Sequence, residues 1–310
     1  MYKGKRICVV VPAHNERDRI RHVVDTIPSC VDHVVVVDDA SSDDTSAVVH
    51  QSGDPRVEVK RHDENQGVGG AILTGHQRAL DLDADISVVM AGDGQMDPNY
   101  LSLLLDALID QGYDFAKGNR FLTKGTLEEM PRERIVGNAI LTFMTKFASG
   151  YWHLFDPQNG YTAISAEALR TIPRNHLKRG YLFENSLLCE LNLRGFRAKD
   201  VGIPAIYRGQ RSGIRAGRFA LGASLFLFRR FWRRIVLKYL LRDFHPIALF
   251  YLSGSLLLAW GIAFGAYVAY LSLGPPAASV GTVMISILPF LVGFQLVLTA
   301  VTLDVWSAPK

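Results

Sequence analysis

The sequence predicts an α/β domain with a mixed, mostly parallel sheet and helices on both faces, followed by a basic amphipathic helix and two membrane-spanning helices. Four short runs rich in β-branched residues, each followed by a helical pattern, predict the sheet. Two long uncharged stretches near the C-terminus predict the spans. We expect a soluble domain at 1–214, juxtamembrane helices at 215–244 and a transmembrane hairpin at 245–310.

The strand-like runs follow the βαβα order that is typical of a parallel sheet covered by helices. They are residues 7–11, 33–37, 57–61 and 86–90. Ligands bind at the carboxyl ends of such strands, and polar clusters follow three of them. These clusters are 12–16 (PAHNE), 38–45 (DDASSDDT) and 91–95 (AGDGQ).

The uncharged stretches are residues 247–271 and 280–303, and each exceeds the ~20 residues that cross a bilayer as a helix. The connector carries turn formers and no charge, which favours a tight hairpin. Two buried helices of a soluble core are the alternative. Small residues would let the spans pack closely, and the spans could join copies of the chain in a homo-oligomer: Gly254, Ser255, Gly261 and Gly265.

Residues 215–242 form a basic amphipathic pattern. Its apolar face carries Leu225, Phe228, Trp232, Ile235, Val236 and Tyr239, and the opposite face carries Arg230, Arg233, Arg234 and Lys238. A helix in the membrane interface fits this pattern, and a solvated helix covering the soluble domain is the alternative. Basic residues beside a span stay in the cytoplasm, so we expect an integral membrane protein with a cytoplasmic catalytic domain.

The net charge of +4 is concentrated in this basic segment, which favours membrane lipids over nucleic acid as a partner. Cys8, Cys30 and Cys189 are too widely spaced to indicate a zinc site or a disulfide framework. Residues 1–6 lead directly into a strand-like run, so no cleaved targeting segment is expected.

Asp38 and Asp39 end a buried strand, where neighbouring carboxylates require a cation, solvent or hydrogen-bond donors. A ribose or a base offers such donors. For Asp43 and Asp44, an Asx turn or a helix cap is the preferred interpretation.

Asp93 and Gln95 place oxygen ligands at alternate positions of a glycine-containing turn. This pattern suits Mg²⁺ or Mn²⁺, which share the oxygens of a diphosphate, although an ordinary Asp-Gly turn is the alternative. The segment 65–71 (NQGVGGA) opens a helix and offers backbone amides to an anion or a sugar diphosphate. It matches neither of the common phosphate-loop signatures.

Four segments together resemble the family-two inverting glycosyltransferases, and within them the polyprenyl-phosphate glycosyltransferases such as dolichyl-phosphate mannose and glucose synthases. They are 12–16, 36–45 (VVDDASSDDT), 67–71 and 93–95 (DGQ). The resemblance covers most of residues 5–215. It implies a GT-A fold and inverting transfer of a hexosyl residue from a UDP- or GDP-sugar to undecaprenyl or dolichyl phosphate, for glycan or glycoprotein assembly. It also implies a divalent metal, Mg²⁺ or Mn²⁺.

The resemblance also implies roles for individual residues. The nucleotide-sugar donor would be bound by Pro12, His14, Glu16, Val37, Asp39, Gly70, Ala91, Gly92 and Asp93. Asp93 and Gln95 would hold the metal. The family often reads Asp-x-Asp-x-Gln, whereas this chain has Ala91 at the first position. The site therefore has one carboxylate fewer, and we expect its metal affinity or metal choice to differ.

Arginines are the candidates for phosphate binding, because a guanidinium binds phosphate in a bidentate way and stays charged. Arg120 follows a predicted edge strand and would face the phosphates of donor or acceptor, so we assign it a catalytic role. The candidates for the acceptor phosphate are Arg132 and Arg134 on a loop, and Arg208, Arg211 and Ser212 before the basic helix.

Asp156, in 156–161 (DPQNGY), resembles the family's carboxylate near the acceptor and is the candidate catalytic base or acceptor-orienting group. A lipid monophosphate has a second pKa of ~6 and scarcely needs a base, so alignment and charge neutralisation should dominate. Glu184 either orients the site or begins a helix.

Two other functions stay open at this point. A processive polysaccharide synthase shares the fold, but its Gln-x-x-Arg-Trp segment and its additional spans are missing here. A non-catalytic sensor of sugar nucleotides, or a membrane scaffold, is compatible with Ala91, whereas Asp93, Gln95, Arg120 and Asp156 argue against it. Sequence spacing does not fix the donor, so UDP-glucose, UDP-N-acetylglucosamine and GDP-mannose are all candidates.

Overall fold

The structure is a computed structural model that describes residues 1–123, 132–204, 216–274 and 278–309, without the side chains of 132–136 and 216–220. Arg208, Arg211 and Ser212 lie outside the described residues. Arg132 and Arg134 belong to a described helix, but their side chains lie outside the description. The chain forms two compact units, which divide between Phe228 and Arg229.

A seven-stranded sheet forms the centre of the first unit. Its strands are β1 (Ile7–Ala13), β2 (His33–Asp38), β3 (Val57–Arg61), β4 (Ile86–Val89), β5 (Phe115–Asn119), β6 (Thr162–Ser165) and β7 (Ala198–Gly202). They lie in the order β3-β2-β1-β4-β6-β5-β7, and β6 alone runs antiparallel to its neighbours. The predicted mixed, mostly parallel sheet is confirmed, and the four predicted strands agree with β1–β4 to within two residues.

The helices of the first unit follow the strands and cover both faces of the sheet. They are α1 (Arg17–Thr26), α2 (Thr45–His50), α3 (Val68–Asp81), α4 (Leu101–Ile109), α5 (Arg132–Ser149), α6 (Ala166–Thr171) and α7 (Phe183–Leu193). Alternate residues of β1 and β2 face opposite layers. One layer contains α1 and α4, and the other contains α3. This arrangement explains why the strands read as continuous apolar runs.

The predicted edge strand before Arg120 is wrong in its position. β5 is an inner strand, because β6 pairs antiparallel with one side of it and β7 pairs parallel with the other. β6 and β7 are short and include polar residues, so their sequences carry little strand signal. The inner position of β5 places Lys117 in the core, where it is 1% exposed.

The second unit contains two long helices, α9 (Pro246–Leu271) and α10 (Val280–Trp306), each long and apolar enough to cross a membrane. Glycines lie where the two helices touch. A Cβ atom at Gly261 would be 2.8 Å from the backbone nitrogen of Phe290, and one at Gly293 would be 2.7 Å from that of Leu258. Close packing through small residues is therefore used inside the hairpin.

The basic segment forms α8 (Ala216–Arg234), followed by a π-helix (Ile235–Arg242). The prediction that Arg234 lies on an exposed basic face is wrong, because its side chain is 2% exposed. Its guanidinium donates to Asp304 of α10 through Nη1 and Nη2 at 2.6 and 2.8 Å, and the Tyr239 hydroxyl donates to the same carboxylate at 2.6 Å. The wider turn of the π-helix also changes the residue spacing on which the prediction depends.

We expect Asp304→Ala to destabilise the second unit strongly, because it removes the carboxylate that neutralises a buried guanidinium. Breaking such a pair typically costs about 3–5 kcal/mol. Thermal unfolding of the full chain in detergent measures the effect. Ser307→Ala, one turn further along the chain, is the control, because this exposed hydroxyl donates to the Leu303 carbonyl oxygen at the end of its own helix. Equal midpoints for the two variants would contradict the prediction.

Candidate active site

The carboxyl ends of β1, β2 and β4 meet at one edge of the sheet, as the sequence predicts. Asp38 is fully buried and closes the loop after β2. It accepts hydrogen bonds from the Ser41 backbone nitrogen at 2.8 Å and from the Ser46 hydroxyl. Asp43 accepts from the Thr45 backbone nitrogen at 3.0 Å, which confirms its interpretation as a turn residue at the start of α2.

Asp39 is 3% exposed, and its carboxylate already has three protein partners. His62 Nδ1 lies 2.7 Å from Oδ1, and the backbone nitrogens of Gln66 and Gly67 donate to Oδ1 and Oδ2 at 2.8 Å each. The glycine-rich loop therefore presents its amides to an anion, as predicted, but that anion is the side chain of Asp39. This contact joins the loop after β2 to the start of α3.

Glycines at the N-cap and in the first turn of α3 also allow a second segment to come close. Cβ atoms at Gly67 and Gly69 would lie 2.8 Å from the carbonyl oxygen of Arg179, so that backbone can reach the helix only because these side chains are absent. Gly70 donates its backbone N–H to the same carbonyl at 3.1 Å. Gly70 lines a groove beside α3. A separate cavity lies at the ends of the strands, and Gly70 does not line it.

A cavity of about 490 Å³, here called the donor cavity, lies at the strand ends. Seven of the predicted donor-binding residues line it: Pro12, His14, Glu16, Asp39, Ala91, Gly92 and Asp93. Val37 does not line it, because its side chain is fully buried in the sheet. The predicted role of Val37 in binding the nucleotide-sugar stays a prediction.

Hydrogen bonds hold His14 and Glu16 in place just after the carboxyl end of β1. His14 Nδ1 donates to the Asp39 carbonyl oxygen at 2.8 Å, and Glu16 accepts from Arg19 Nη1 at 3.0 Å. Burial raises the pKa of Glu16, and the nearby charge of Asp93 acts in the same direction. The donor cavity thus has an acidic wall formed by Glu16 and Asp93, which suits a cation or a hydroxyl group.

A second cavity, of about 310 Å³, is here called the acceptor cavity. Asp93, Val68 and Tyr181 line both cavities, so the two volumes adjoin at the turn after β4. The other side chains that matter for chemistry in the acceptor cavity are Gln95, Arg120, Gln158, Asn159, Tyr161 and Glu184. A ligand in the donor cavity and one in the acceptor cavity would therefore meet beside Asp93.

The donor atoms around this turn fit a divalent metal. Asp93 Oδ1 accepts the Gln95 backbone N–H at 3.0 Å, which fixes the turn and presents both side chains to the acceptor cavity. Mg²⁺ commonly uses one or two carboxylates and completes its shell with substrate phosphates and water, so a single carboxylate is sufficient. Among the described residues, no group of three or more His, Cys, Asp or Glu side chains could hold a metal alone.

Arg120 is fixed by Asp156, which lies beneath it. Arg120 donates from Nε to Oδ2 at 2.7 Å and from Nη2 to Oδ1 at 2.6 Å, in a bidentate pair. Asp156 is 1% exposed and does not line the acceptor cavity. Burial alone would raise the pKa of Asp156, but the hydrogen bonds and charge of Arg120 outweigh burial and lower it. Of its two predicted roles, the geometry favours orientation through Arg120 over action as a base.

Lys117 holds the backbone that carries Asp156, and sequence reasoning missed it. Its ammonium lies 3.0 Å from Asp200 Oδ1 and donates to the carbonyl oxygens of Phe155 and Asp156, the latter at 2.9 Å. Asp156 has a φ of 51°, so these contacts stabilise a left-handed conformation that few residues adopt readily. A lysine within a buried strand was the available signal.

The chain is similar to known proteins over most of its first unit. The model of glycosyl transferase family 2 matches residues 8–172. UDP-N-acetylglucosamine–dolichyl-phosphate N-acetylglucosaminyltransferase of Methanococcus voltae is 28% identical over 249 residues, which cover 76% of this chain and 96% of that protein. Polyprenol monophosphomannose synthase of Mycolicibacterium smegmatis is 33% identical over 205 residues, which cover 64% of this chain and 77% of that protein.

The fold is also similar to a solved structure. Glucosyl-3-phosphoglycerate synthase from Mycobacterium tuberculosis, in complex with Mn²⁺, UDP and glucosyl-3-phosphoglycerate, matches with a TM-score of 0.55 at 22% identity. The match covers 74% of this chain and 80% of that one, and it confirms the predicted GT-A-like architecture. On the family match and these similarities, the chain belongs to glycosyl transferase family 2 and is related to its polyprenyl-phosphate sugar transferases.

Proposed function

We propose that this enzyme transfers a hexosyl residue, with inversion, from a UDP- or GDP-sugar to a polyprenyl phosphate. The observation that carries the proposal is the pair of adjoining cavities that share Asp93, one with acidic walls at the strand ends and one containing Arg120. The related Methanococcus enzyme is named for dolichyl phosphate and the Mycolicibacterium enzyme for polyprenol monophosphomannose, and both names support this class of acceptor.

The donor cavity would take the nucleotide. Asp39, His14 and Glu16 line it near the ends of β1 and β2, and Asp39 is already ordered by the start of α3. A nucleotide therefore meets a preorganised wall, which lowers the entropic cost of binding. The diphosphate would lie beside Asp93 and Gln95, which would hold Mg²⁺ or Mn²⁺. Such an ion, when bound, neutralises charge on the departing nucleoside diphosphate.

The acceptor cavity would take the phosphate of the lipid. Arg120 is oriented by a bidentate contact to Asp156, and it also lines this cavity. A phosphate oxygen would attack the anomeric carbon from the face opposite the leaving group. The new carbon–oxygen bond forms as the bond to the nucleoside diphosphate breaks. The phosphate is already dianionic above its second pKa of ~6, so no proton needs to leave. An α-linked donor would then give a β-linked product.

The two long apolar helices of the second unit support a membrane location for this reaction. A polyprenyl chain is insoluble in water, so an enzyme anchored in the membrane shares a phase with its acceptor. In this proposal the hairpin is an integral anchor and the soluble domain is cytoplasmic, where nucleotide-sugars are available.

A transfer assay with the purified full-length protein in lipid nanodiscs tests the proposal. Radiolabelled UDP-glucose, UDP-N-acetylglucosamine and GDP-mannose are supplied in turn, with polyprenyl phosphate and either Mg²⁺ or Mn²⁺. We expect label in the lipid phase with at least one donor, and a large loss of label when EDTA is added. Polyprenol without its phosphate is the matched control acceptor. Absence of lipid product from every donor, or equal transfer to polyprenol, would refute the proposal.

A further inference from the structure

Glu184 places a carboxyl group in the acceptor cavity, and the reaction proposed above gives this group no role. It lies in the first turn of α7, is partly buried, and faces the same cavity as Arg120. A Cβ atom at Gly160 would lie 3.6 Å from its Oε1, so the carboxyl group lies over the loop 156–161. Among the described residues that line this cavity, the carboxylates are Asp93 and Glu184.

No described side chain donates a hydrogen bond to the Glu184 carboxyl group, in contrast to Asp156, which accepts from the Arg120 guanidinium. Burial raises the pKa of Glu184 to about 7, while its own backbone amide and the charge of Lys117 oppose the change. Lys117 itself is paired with Asp200. The charged and titratable groups that share the cavity or act on Glu184 are Asp93, Arg120, Lys117, Tyr161 and Tyr181.

An ionised Glu184 would conflict with a phosphate in this cavity. Two negative groups placed side by side disfavour ionisation of the weaker acid, so a phosphate dianion would help to keep a proton on Glu184. A protonated carboxyl group has one O–H to donate, and a phosphate oxygen is a strong acceptor. The opposite assignment, with an ionised Glu184, would place an unpaired carboxylate against the ligand.

We propose that Glu184 binds the acceptor phosphate as a neutral carboxylic acid, which donates a hydrogen bond to a phosphate oxygen beside Arg120. This inference rests on the proposed function, because it takes a phosphate as the ligand of this cavity. Glu184 would then recognise the acceptor. Alkaline pH should therefore weaken acceptor binding and leave binding of the nucleotide-sugar donor unchanged.

The test compares wild type with Glu184→Gln, which permanently mimics the neutral form, over a pH range where the acceptor phosphate stays dianionic. In wild type, the KM for polyprenyl phosphate should rise roughly tenfold between pH 7 and 8.5, as the neutral fraction of Glu184 falls. In Glu184→Gln it should change by no more than about twofold, and at pH 7 its kcat/KM should stay within about threefold of wild type. The KM for the nucleotide-sugar should be the same in both proteins.

Glu184→Ala completes the set, because it removes the donor and should weaken acceptor binding at pH 7 by roughly tenfold or more. A pH profile in Glu184→Gln that still rises like that of wild type would overturn the inference, since another group would then titrate. A loss of more than about 30-fold in Glu184→Gln at pH 7 would also overturn it, by showing that a carboxylate is required. If wild type neither transfers to polyprenyl phosphate nor binds it in calorimetry, the proposed function fails as well.

Discussion

Asp93→Asn should lower kcat for sugar transfer on the order of 10³-fold while the protein stays folded. Asp93 lines both cavities, so it is placed where the leaving diphosphate and the incoming phosphate would meet. With Ala91 at the position where related enzymes often carry another carboxylate, this substitution leaves the motif without any. An amide oxygen can still accept the Gln95 backbone N–H, so the turn should keep its shape.

Steady-state transfer and metal-dependent donor binding, by calorimetry with and without Mn²⁺, check this result. Asp97→Asn is the matched control. Asp97 follows on the same turn and caps the next helical segment by accepting the Asn99 backbone N–H at 2.9 Å, a bond that asparagine also makes. It lines neither cavity and should keep near-normal activity. Retention of more than about a tenth of wild-type turnover in Asp93→Asn would contradict the metal assignment.

Strands β1, β2 and β4, whose carboxyl ends meet at one edge of the sheet, were predictable because they are buried on both faces. The runs that became β1 and β2 contain three and four consecutive valines, and residues of the polar clusters at their ends line the donor cavity. β6 was not predicted, because it has only four residues and no alternating pattern. Its antiparallel insertion between β4 and β5 and the pairing of β7 with the other side of β5 are long-range events, and together they make β5 an inner strand.

The chemistry of the carboxylates was less accessible from sequence than their positions. Positions after predicted strands pointed to Asp39 and Asp93, and the family resemblance pointed to Asp156, but neither says which donors each carboxylate receives. Asp39 is occupied by amides of the glycine-rich loop, and Asp156 is occupied by Arg120. Glu184, by contrast, lines the acceptor cavity, and no described side chain donates a hydrogen bond to its carboxyl group. Its sequence context nevertheless resembles an ordinary helix start. The distinction depends on contacts between segments far apart in the chain.

Breaking the bidentate pair of Arg120 and Asp156 should also lower activity strongly. Asp156→Asn should lower kcat/KM by about 10²-fold, since misplacement of a positioning group by about 1 Å has effects of this size. The asparagine cannot hold both guanidinium nitrogens as a carboxylate does, so Arg120 would lose the orientation that points it into the acceptor cavity. The KM for the donor should change little, because Asp156 lines neither cavity.

A double-mutant cycle distinguishes this positioning role from direct catalysis by Asp156. If Asp156 acts only through Arg120, adding Asp156→Asn to Arg120→Ala should cause no more than about a twofold further loss. The control is Asp25→Asn, which breaks an exposed helical pair with Arg21 at 2.7 Å and should leave activity unchanged. Fully additive losses in the double variant would show that Asp156 contributes independently of Arg120. In that case its carboxylate would have to reach the substrates through a conformation that opens the bidentate pair.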